Sequence, residues 1–209
     1  MVIPFYGVDN REMFEIEREA MDRRGRVIEA LNTFLPDEGV VLDIGAGDGF
    51  TGQRLATTRR TVVGVEPAAG MIDSTVSLEW VQGVAQSLPF RERVFDGAYA
   101  TWSYFFPSII DVTPGFEEVD RVTKPGAPIV IVDNAGDDEF TAMAHKDISV
   151  DLDFWRRAGF AIDIVETAFV FNSIDDARLL LEFFFGDRAK PALEVEYRAA
   201  VMSRNRSPL

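Results

Sequence analysis

The spacing of apolar positions along this chain changes several times, and each change predicts an element. Over residues 10–35, Met13, Phe14, Ile16, Met21, Val27, Ile28, Leu31 and Phe34 fall mostly at helical intervals, which predicts one or two helices with a break or close contact at Gly25. "LPDEG" then turns the chain into "VVLDI", a short unbroken apolar run that reads as a strand buried on both faces. Further strands are predicted in "TVVGVEP", "SLEWVQG", within "VFDGAYATWSYFF", and in "PIVIVD", "FAIDIVETAFVF" and "EVEYRAAVMSR". Between them, helices are predicted over "FTGQRLATT", from Thr113 as N-cap with Pro114 at the first helical position and Glu117-Glu118 in the first turn, and over "VDLDFWRRAGF" with Gly159 near its end. A last helix, "IDDARLLLEFFF", is framed by Ser173 and Asp176 and ended by Gly186. Strands alternating with helices predict an α/β fold with a mostly parallel sheet covered on both faces.

Length and composition narrow this picture. At 209 residues, with no repeat and no domain-separating linker, the chain is expected to form one domain over residues 1–209. Absence of cysteine excludes disulfides and thiolate metal sites. The start lacks a secretory signal and no segment reaches the roughly 20 apolar residues of a membrane span, so a cytoplasmic protein is expected. Net charge is −14, and the basic residues cluster only in pairs, which argues against a nucleic-acid partner. A small molecule is the expected partner; the sequence says nothing of oligomeric state.

The candidate chemistry sits in "VLDIGAGDGF", residues 41–50. A glycine loop after a first strand serves dinucleotides, which place pyrophosphate on the next helix, and S-adenosylmethionine. Gly47, Gly49 and Gly52 fit G-x-G-x-x-G, but the first glycine after the strand is Gly45, and from there the third position falls on Phe50. Asp43 and Asp48 flank the loop. A like charge at about 4 Å costs about 4 kcal/mol at a surface-like dielectric, which disfavours pyrophosphate and favours an ammonium or sulfonium. Glu66, ending the second strand, can accept bonds from ribose hydroxyls of either ligand.

These residues resemble the first motif of class I S-adenosylmethionine-dependent methyltransferases. "VVGVEPAAGMI" resembles the second motif, "VQGVAQSLPFRERVFDGAYATWS" the third and fourth, and "EEVDRVTKPGAPIVIVD" the helix and strand beyond. The likeness runs in order over about residues 38–134 and is greatest to the small-molecule subgroup often called type-eleven, which includes quinone-biosynthesis enzymes. It implies a Rossmann-like seven-stranded sheet of order 3-2-1-4-5-7-6, a helical cover over 1–36, a cofactor core over 37–134 and a lid and substrate-side half over 135–209. It implies S-adenosyl-L-methionine as cofactor, with Asp43 on the methionine amino group and Gly45, Ala46 and Gly47 passing beneath. It implies Glu66 on the ribose, Pro67 and Met71 near adenine, and Val84, Ala85 and Gln86 at the adenine edge. Thr101 and Trp102 would close the site, under a cover carrying Tyr6. Relatives commonly hold an acid where Val84 stands, so adenine needs another partner here.

The implied reaction is in-line methyl transfer to an O, N, C or S nucleophile of a small molecule. A non-catalytic binding module and an NAD-type oxidoreductase remain as alternatives. "TWSYFF" reads first as core, with an aromatic substrate wall as the second reading. His145, the single histidine, and Tyr6 are the candidate bases, because each belongs to a segment expected to cover the site. Asp133-Asn134 resembles part of a magnesium site, but the fourth strand offers Thr101 instead of a carboxylate, so no metal is expected.

Overall fold

The structure, a computed structural model, describes residues 6–103 and 111–206; of Tyr6 it describes the backbone only. Seven strands form one sheet in the order β3-β2-β1-β4-β5-β7-β6. They are β1 (Gly39–Ile44), β2 (Arg60–Glu66), β3 (Glu79–Gln82), β4 (Gly97–Thr101), β5 (Pro128–Asn134), β6 (Ala161–Val170) and β7 (Glu194–Asn205). The first five are parallel to one another, and β7 runs antiparallel between β5 and β6. The expected fold class and strand order are therefore both observed.

The helices are α1 (Tyr6–Asp9), α2 (Arg11–Ala20), α3 (Arg26–Phe34), α4 (Phe50–Leu55), α5 (Thr113–Val122), α6 (Glu139–Ala142), α7 (Leu152–Arg157) and α8 (Ile174–Phe185). Strand alternation divides the core into two layers. Val41, Tyr99, Val130 and Val132 face a cluster with Leu31 of α3, Leu55 of α4 and Leu180 of α8. Leu42, Ala98, Ile129 and Ile131 face the opposite cluster with Val119 of α5 and Trp155 of α7. Burial on both faces explains why the central strands read as unbroken apolar runs. No helix lies between β2 and β3 or between β3 and β4 among the described residues.

Several element ends differ from the sequence expectation. Gly25 breaks the N-terminal helical stretch as expected, at φ 75° before α3. α4 stops at Leu55, where the buried Arg60 side chain donates Nε–H to the Leu55 carbonyl at 2.8 Å and so satisfies the helix end. Thr113 is the first helical residue of α5 instead of its cap, because Asp111 Oδ1 accepts the Thr113 amide at 2.9 Å. Glu117 and Glu118 consequently fall beyond the first turn; Glu118 pairs with Arg121 and accepts the Leu88 amide. Asp151 caps α7, and Ser173 caps α8 by accepting the Asp176 amide. No described helix is long and apolar enough to cross a membrane.

Candidate functional site

At the carboxyl ends of β1, β2, β4 and β5 lies a cavity of about 760 Å³, in the upper part of the 300–1,000 Å³ range typical of small-molecule pockets. One side is built from main chain. Gly45 and Ala46 donate their amides to the Val65 carbonyl at 2.8 and 3.0 Å, which pins the loop to β2. Gly45 has φ 74°, and a Cβ there would stand 2.4 Å from Cβ of Ser103, so only glycine fits. Glu66 Oε2 accepts the Gly47 amide at 2.9 Å and Oε1 accepts the Ala68 amide at 2.8 Å. Each oxygen keeps a second lone pair.

Asp43 lies beneath this loop, nearly fully buried. Its Oδ2 accepts the Tyr99 hydroxyl at 2.8 Å, while Oδ1 has no hydrogen-bond partner among the described residues. Burial pushes its carboxyl up to about 7; the Tyr99 bond opposes this and the Glu66 charge adds to it. An unpartnered buried acceptor calls for a donor. Asp48 behaves differently. Its carboxylate pairs with Arg18, lies 4.0 Å from Arg11 and accepts the Phe50 amide at 3.2 Å, so its charge is matched inside the protein. The acid pair inferred from sequence is thus divided: Asp48 is paired with α2, whereas Asp43 has no cation partner among the described residues and stands near Glu66.

The other side of the cavity is built from side chains. Helical spacing along α2 brings Phe14, Glu17 and Arg18 to the wall, with Met21 just beyond the helix end. Arg18 also lies 5.3 Å from the Phe50 ring, as does Arg54. Trp102, at φ 49°, donates its indole N–H to the Tyr197 hydroxyl at 2.6 Å, and Tyr197 donates in turn to Asn134 Oδ1 at 2.7 Å. Asn134 Nδ2 reaches the Ile148 carbonyl at 3.1 Å, which ties the 134–150 segment to the end of β5. Phe140 and Ala144 to Ile148 of that segment border the cavity together with Phe184 and Phe185 of α8. Asp133 Oδ1 accepts the Asn134 amide at 2.8 Å, and burial pushes the Asp133 carboxyl up to about 7. Burial likewise pushes Glu17 up to about 8. Burial and the Asp133 charge keep the Tyr197 hydroxyl protonated.

Of the residues expected around a cofactor, Gly45, Ala46, Gly47, Glu66, Pro67, Val84, Ala85, Gln86, Thr101 and Trp102 line this cavity. Asp43 sits under its floor. Met71 is fully buried and is not part of the described wall, because the turn from Ala68 to Met71 directs it inward. The Tyr6 side chain, and Tyr104, Phe105 and Phe106 of the aromatic stretch, lie outside the described residues. His145 is at the wall but 63% exposed, 3.7 Å from Asp187. Sequence reasoning missed Glu17, Arg18 and Tyr197. The available signal was the Glu17-Arg18 pair set between Phe14 and Met21 on one helical face, where a solvated face would carry no such apolar flanks.

This sheet, with its glycine loop and the acid ending β2, is the Rossmann-like methyltransferase fold. Residues 42–131 match the family model described as a methyltransferase domain. Over that core the chain is similar to methyltransferases that act on small molecules. It is 31% identical over 106 residues to a 2-phytyl-1,4-naphtoquinone methyltransferase of Synechocystis sp., covering 44% of each chain. The matches span less than half the length of the first curated relatives. Among solved structures it is similar in fold to the YcgJ protein of Bacillus subtilis (TM-score 0.60, 18% identity, 90% of this chain and 100% of that one). It is also similar in fold to the [4+2]-cyclase SpnF (TM-score 0.57, 19% identity, 88% and 81%).

Proposed function

We propose that this chain binds S-adenosyl-L-methionine against the glycine loop and transfers its methyl group to a small-molecule acceptor. The observation that carries the reading is the unpartnered, buried Oδ1 of Asp43 beneath the glycine loop that forms one wall of the cavity. A primary ammonium is the donor that such an atom suits, directly or through water. Glu66 would accept from the ribose hydroxyls with its remaining lone pairs, and its bonds to Gly47 and Ala68 would hold it for that purpose. Pro67, Val84, Ala85 and Gln86 would surround the adenine, with main-chain groups supplying what Val84 lacks. Met71 would support this wall from behind.

When bound, the cofactor supplies an activated methyl group on a sulfonium, leaving as S-adenosylhomocysteine. The protein's share is to orient the acceptor, exclude water and accept a proton where the nucleophile carries one. Trp102 and the 134–150 segment would close the cavity from the acceptor side. The curated relative named above acts, by its name, on a naphthoquinone, which supports a ring-bearing small molecule as acceptor.

The test has two parts. S-adenosylhomocysteine is expected to raise the melting temperature of the chain, as a ligand selective for the native state must, while NAD leaves it unchanged. Stabilisation by NAD alone would overturn the cofactor assignment. Because one fold relative is named as a cyclase, methyl transfer is then checked with labelled donor over a metabolite panel. Labelled product is expected without added metal. Cofactor binding with no methylation across the panel would favour a binding module.

A further inference from the structure

Asp43 is boxed in under the glycine loop. Its register partner in the β1–β4 pairing is Tyr99, so the two side chains leave the sheet on the same face. Tyr99 is fully buried in the layer with Leu31 of α3 and Leu55 of α4, and its hydroxyl donates to Asp43 Oδ2 at 2.8 Å. α4 closes the flank, since a Cβ on Gly52 would stand 3.2 Å from the same oxygen. Oδ1 has no hydrogen-bond partner among the described residues. Tyr99 therefore occupies one oxygen of the carboxyl and leaves the other for a ligand.

The elements packed around this acid bring it no matching cation. Arg60 of β2, whose charge is felt at Tyr99, is engaged by the Leu55 and Pro36 carbonyls and by Asn32. Arg18 of α2 is held by Asp48. α4 faces the carboxyl with Gly52, which carries no charge, and Glu66 of β2 contributes a like charge. Burial therefore favours the neutral carboxyl, with the Tyr99 bond opposing and Glu66 adding to it, and the balance lies at about 7. Burial and the Asp43 charge hold the Tyr99 hydroxyl protonated, so Tyr99 remains the donor of the pair. An ammonium brought to Oδ1, directly or through one water, is the missing counter-charge. It favours the ionised carboxylate, so its arrival expels the proton that the carboxyl otherwise shares with solvent near neutral pH.

We infer that Tyr99 is a positioning residue for the ligand's α-ammonium: its hydroxyl holds Asp43 Oδ2, leaves Oδ1 to accept and sustains the carboxylate charge, and binding of the ligand releases a proton from Asp43. The identity of the ligand rests on the S-adenosylmethionine reading. In the step itself the O–H bond of the Asp43 carboxyl breaks, its electron pair stays on oxygen and the proton passes to solvent. No covalent bond to the ligand forms.

The experiment is a calorimetric titration of the full chain with two nucleosides, S-adenosylhomocysteine and 5′-methylthioadenosine, from pH 6 to pH 8.5. The second shares the adenosine and the thioether but lacks the ammonium, so it registers the pH effects of the ribose side, Glu66 included. Relative to methylthioadenosine, wild-type affinity for S-adenosylhomocysteine is expected to rise about fivefold from pH 6 to pH 7 and to level off above about pH 8. At pH 7, buffers of different ionisation enthalpy should show about half a proton more released with S-adenosylhomocysteine than with methylthioadenosine. Asp43→Asn is expected to abolish that difference. Tyr99→Phe removes the hydroxyl at nearly constant shape, and loss of one hydrogen bond to the charged form moves the profile up by about one pH unit. The variant should therefore bind S-adenosylhomocysteine about tenfold more weakly than wild type at pH 6, about fivefold at pH 7 and less than about twofold at pH 8.5, with methylthioadenosine within about twofold throughout. Equal proton release with the two nucleosides, a loss in Tyr99→Phe that does not change with pH, or the same loss for both nucleosides would each overturn the inference. If Tyr99→Phe does not fold, Tyr99→Met is read by the same criterion, and the wild-type proton count needs no variant. Binding of neither nucleoside overturns the cofactor reading and the inference with it, whereas binding of both with equal proton release overturns the inference alone.

Discussion

The two sides of the cavity are built by different means. The proposed cofactor side is mostly main chain and comes largely from residues 43–86: three glycines at positive φ, amides aimed at Val65 and Glu66, and one acid at the end of each of two adjacent strands. The opposite side, proposed for the acceptor, is mostly side chain and comes from α2, the end of β5, the 134–150 segment, α8 and β7. A main-chain cradle depends on glycines and strand ends, so one short motif can specify it. A side-chain wall depends on which helix happens to cross which strand. The first kind suits a ligand common to many enzymes, and the second suits an acceptor that differs between them.

This division predicts that the two sides respond separately. The largest effect belongs to Glu66. Its carboxylate already fixes the Gly47 and Ala68 amides, and charge-assisted bonds to two ribose hydroxyls are worth roughly 1.5–3 kcal/mol each. Glu66→Ala is expected to weaken S-adenosylhomocysteine binding by at least about 100-fold by calorimetry while the circular dichroism spectrum stays native. Affinity within threefold of wild type would show that the cradle does not hold the ribose, and the comparison would lose its cofactor half.

The same division explains what the sequence made legible. The strands themselves and the positions of Gly45, Gly47 and Glu66 could be read because contiguous residues determine them, whereas the strand order followed only from the resemblance to a known family. The pairing of Asp48 with Arg18 could not, because it spans thirty positions and depends on α2 crossing the loop. The Trp102–Tyr197–Asn134 chain joins the residue just past β4 to residues of β7 and β5, and no local pattern encodes it. Met71 read as an adenine contact because its motif position was visible, whereas its inward direction depends on the turn after Pro67. The start of α5 shifted by one residue because Asp111 competes with Thr113 for the capping role, a choice that residue preferences alone do not settle.

A smaller effect should appear in stability against pH. Burial raises Asp133 from its ordinary 3.8 to about 7 and Glu17 from 4.5 to about 8. Both are acids whose folded-state pKa lies above the unfolded value, so the folded protein binds more protons than the unfolded chain between about pH 4 and 8. Their contribution to stability is therefore fully favourable below the unfolded values and is lost as pH rises through the window. Asp133→Asn mimics the protonated acid. The variant's melting temperature should exceed that of wild type by several degrees at pH 8, with the difference shrinking towards pH 5. S-adenosylhomocysteine affinity should change by less than about threefold, since Asp133 stands on the acceptor side. A melting difference independent of pH would mean that Asp133 is already ionised in the folded state.

The smallest effect is expected at His145, which sequence reasoning put forward as a base. Its ring is 63% exposed, and its neighbour Asp187 is 91% exposed at 3.7 Å, so the pair lies in water at the cavity mouth. A contact between two exposed groups contributes little to stability. A base must also reach the proton it removes, at hydrogen-bond distance or through one water, and in a setting that holds its orientation. Asp133 has that setting, with one oxygen fixed by the Asn134 amide on a buried strand end; His145 does not. His145→Ala should therefore shift the melting temperature by less than about 1 °C. It should lower kcat by less than about threefold with any acceptor found to be methylated. A loss of about 100-fold at His145 would place a proton-accepting step at the rim, and the contrast between a rigid wall and an open mouth would have to be redrawn with the 134–150 segment as part of the chemistry.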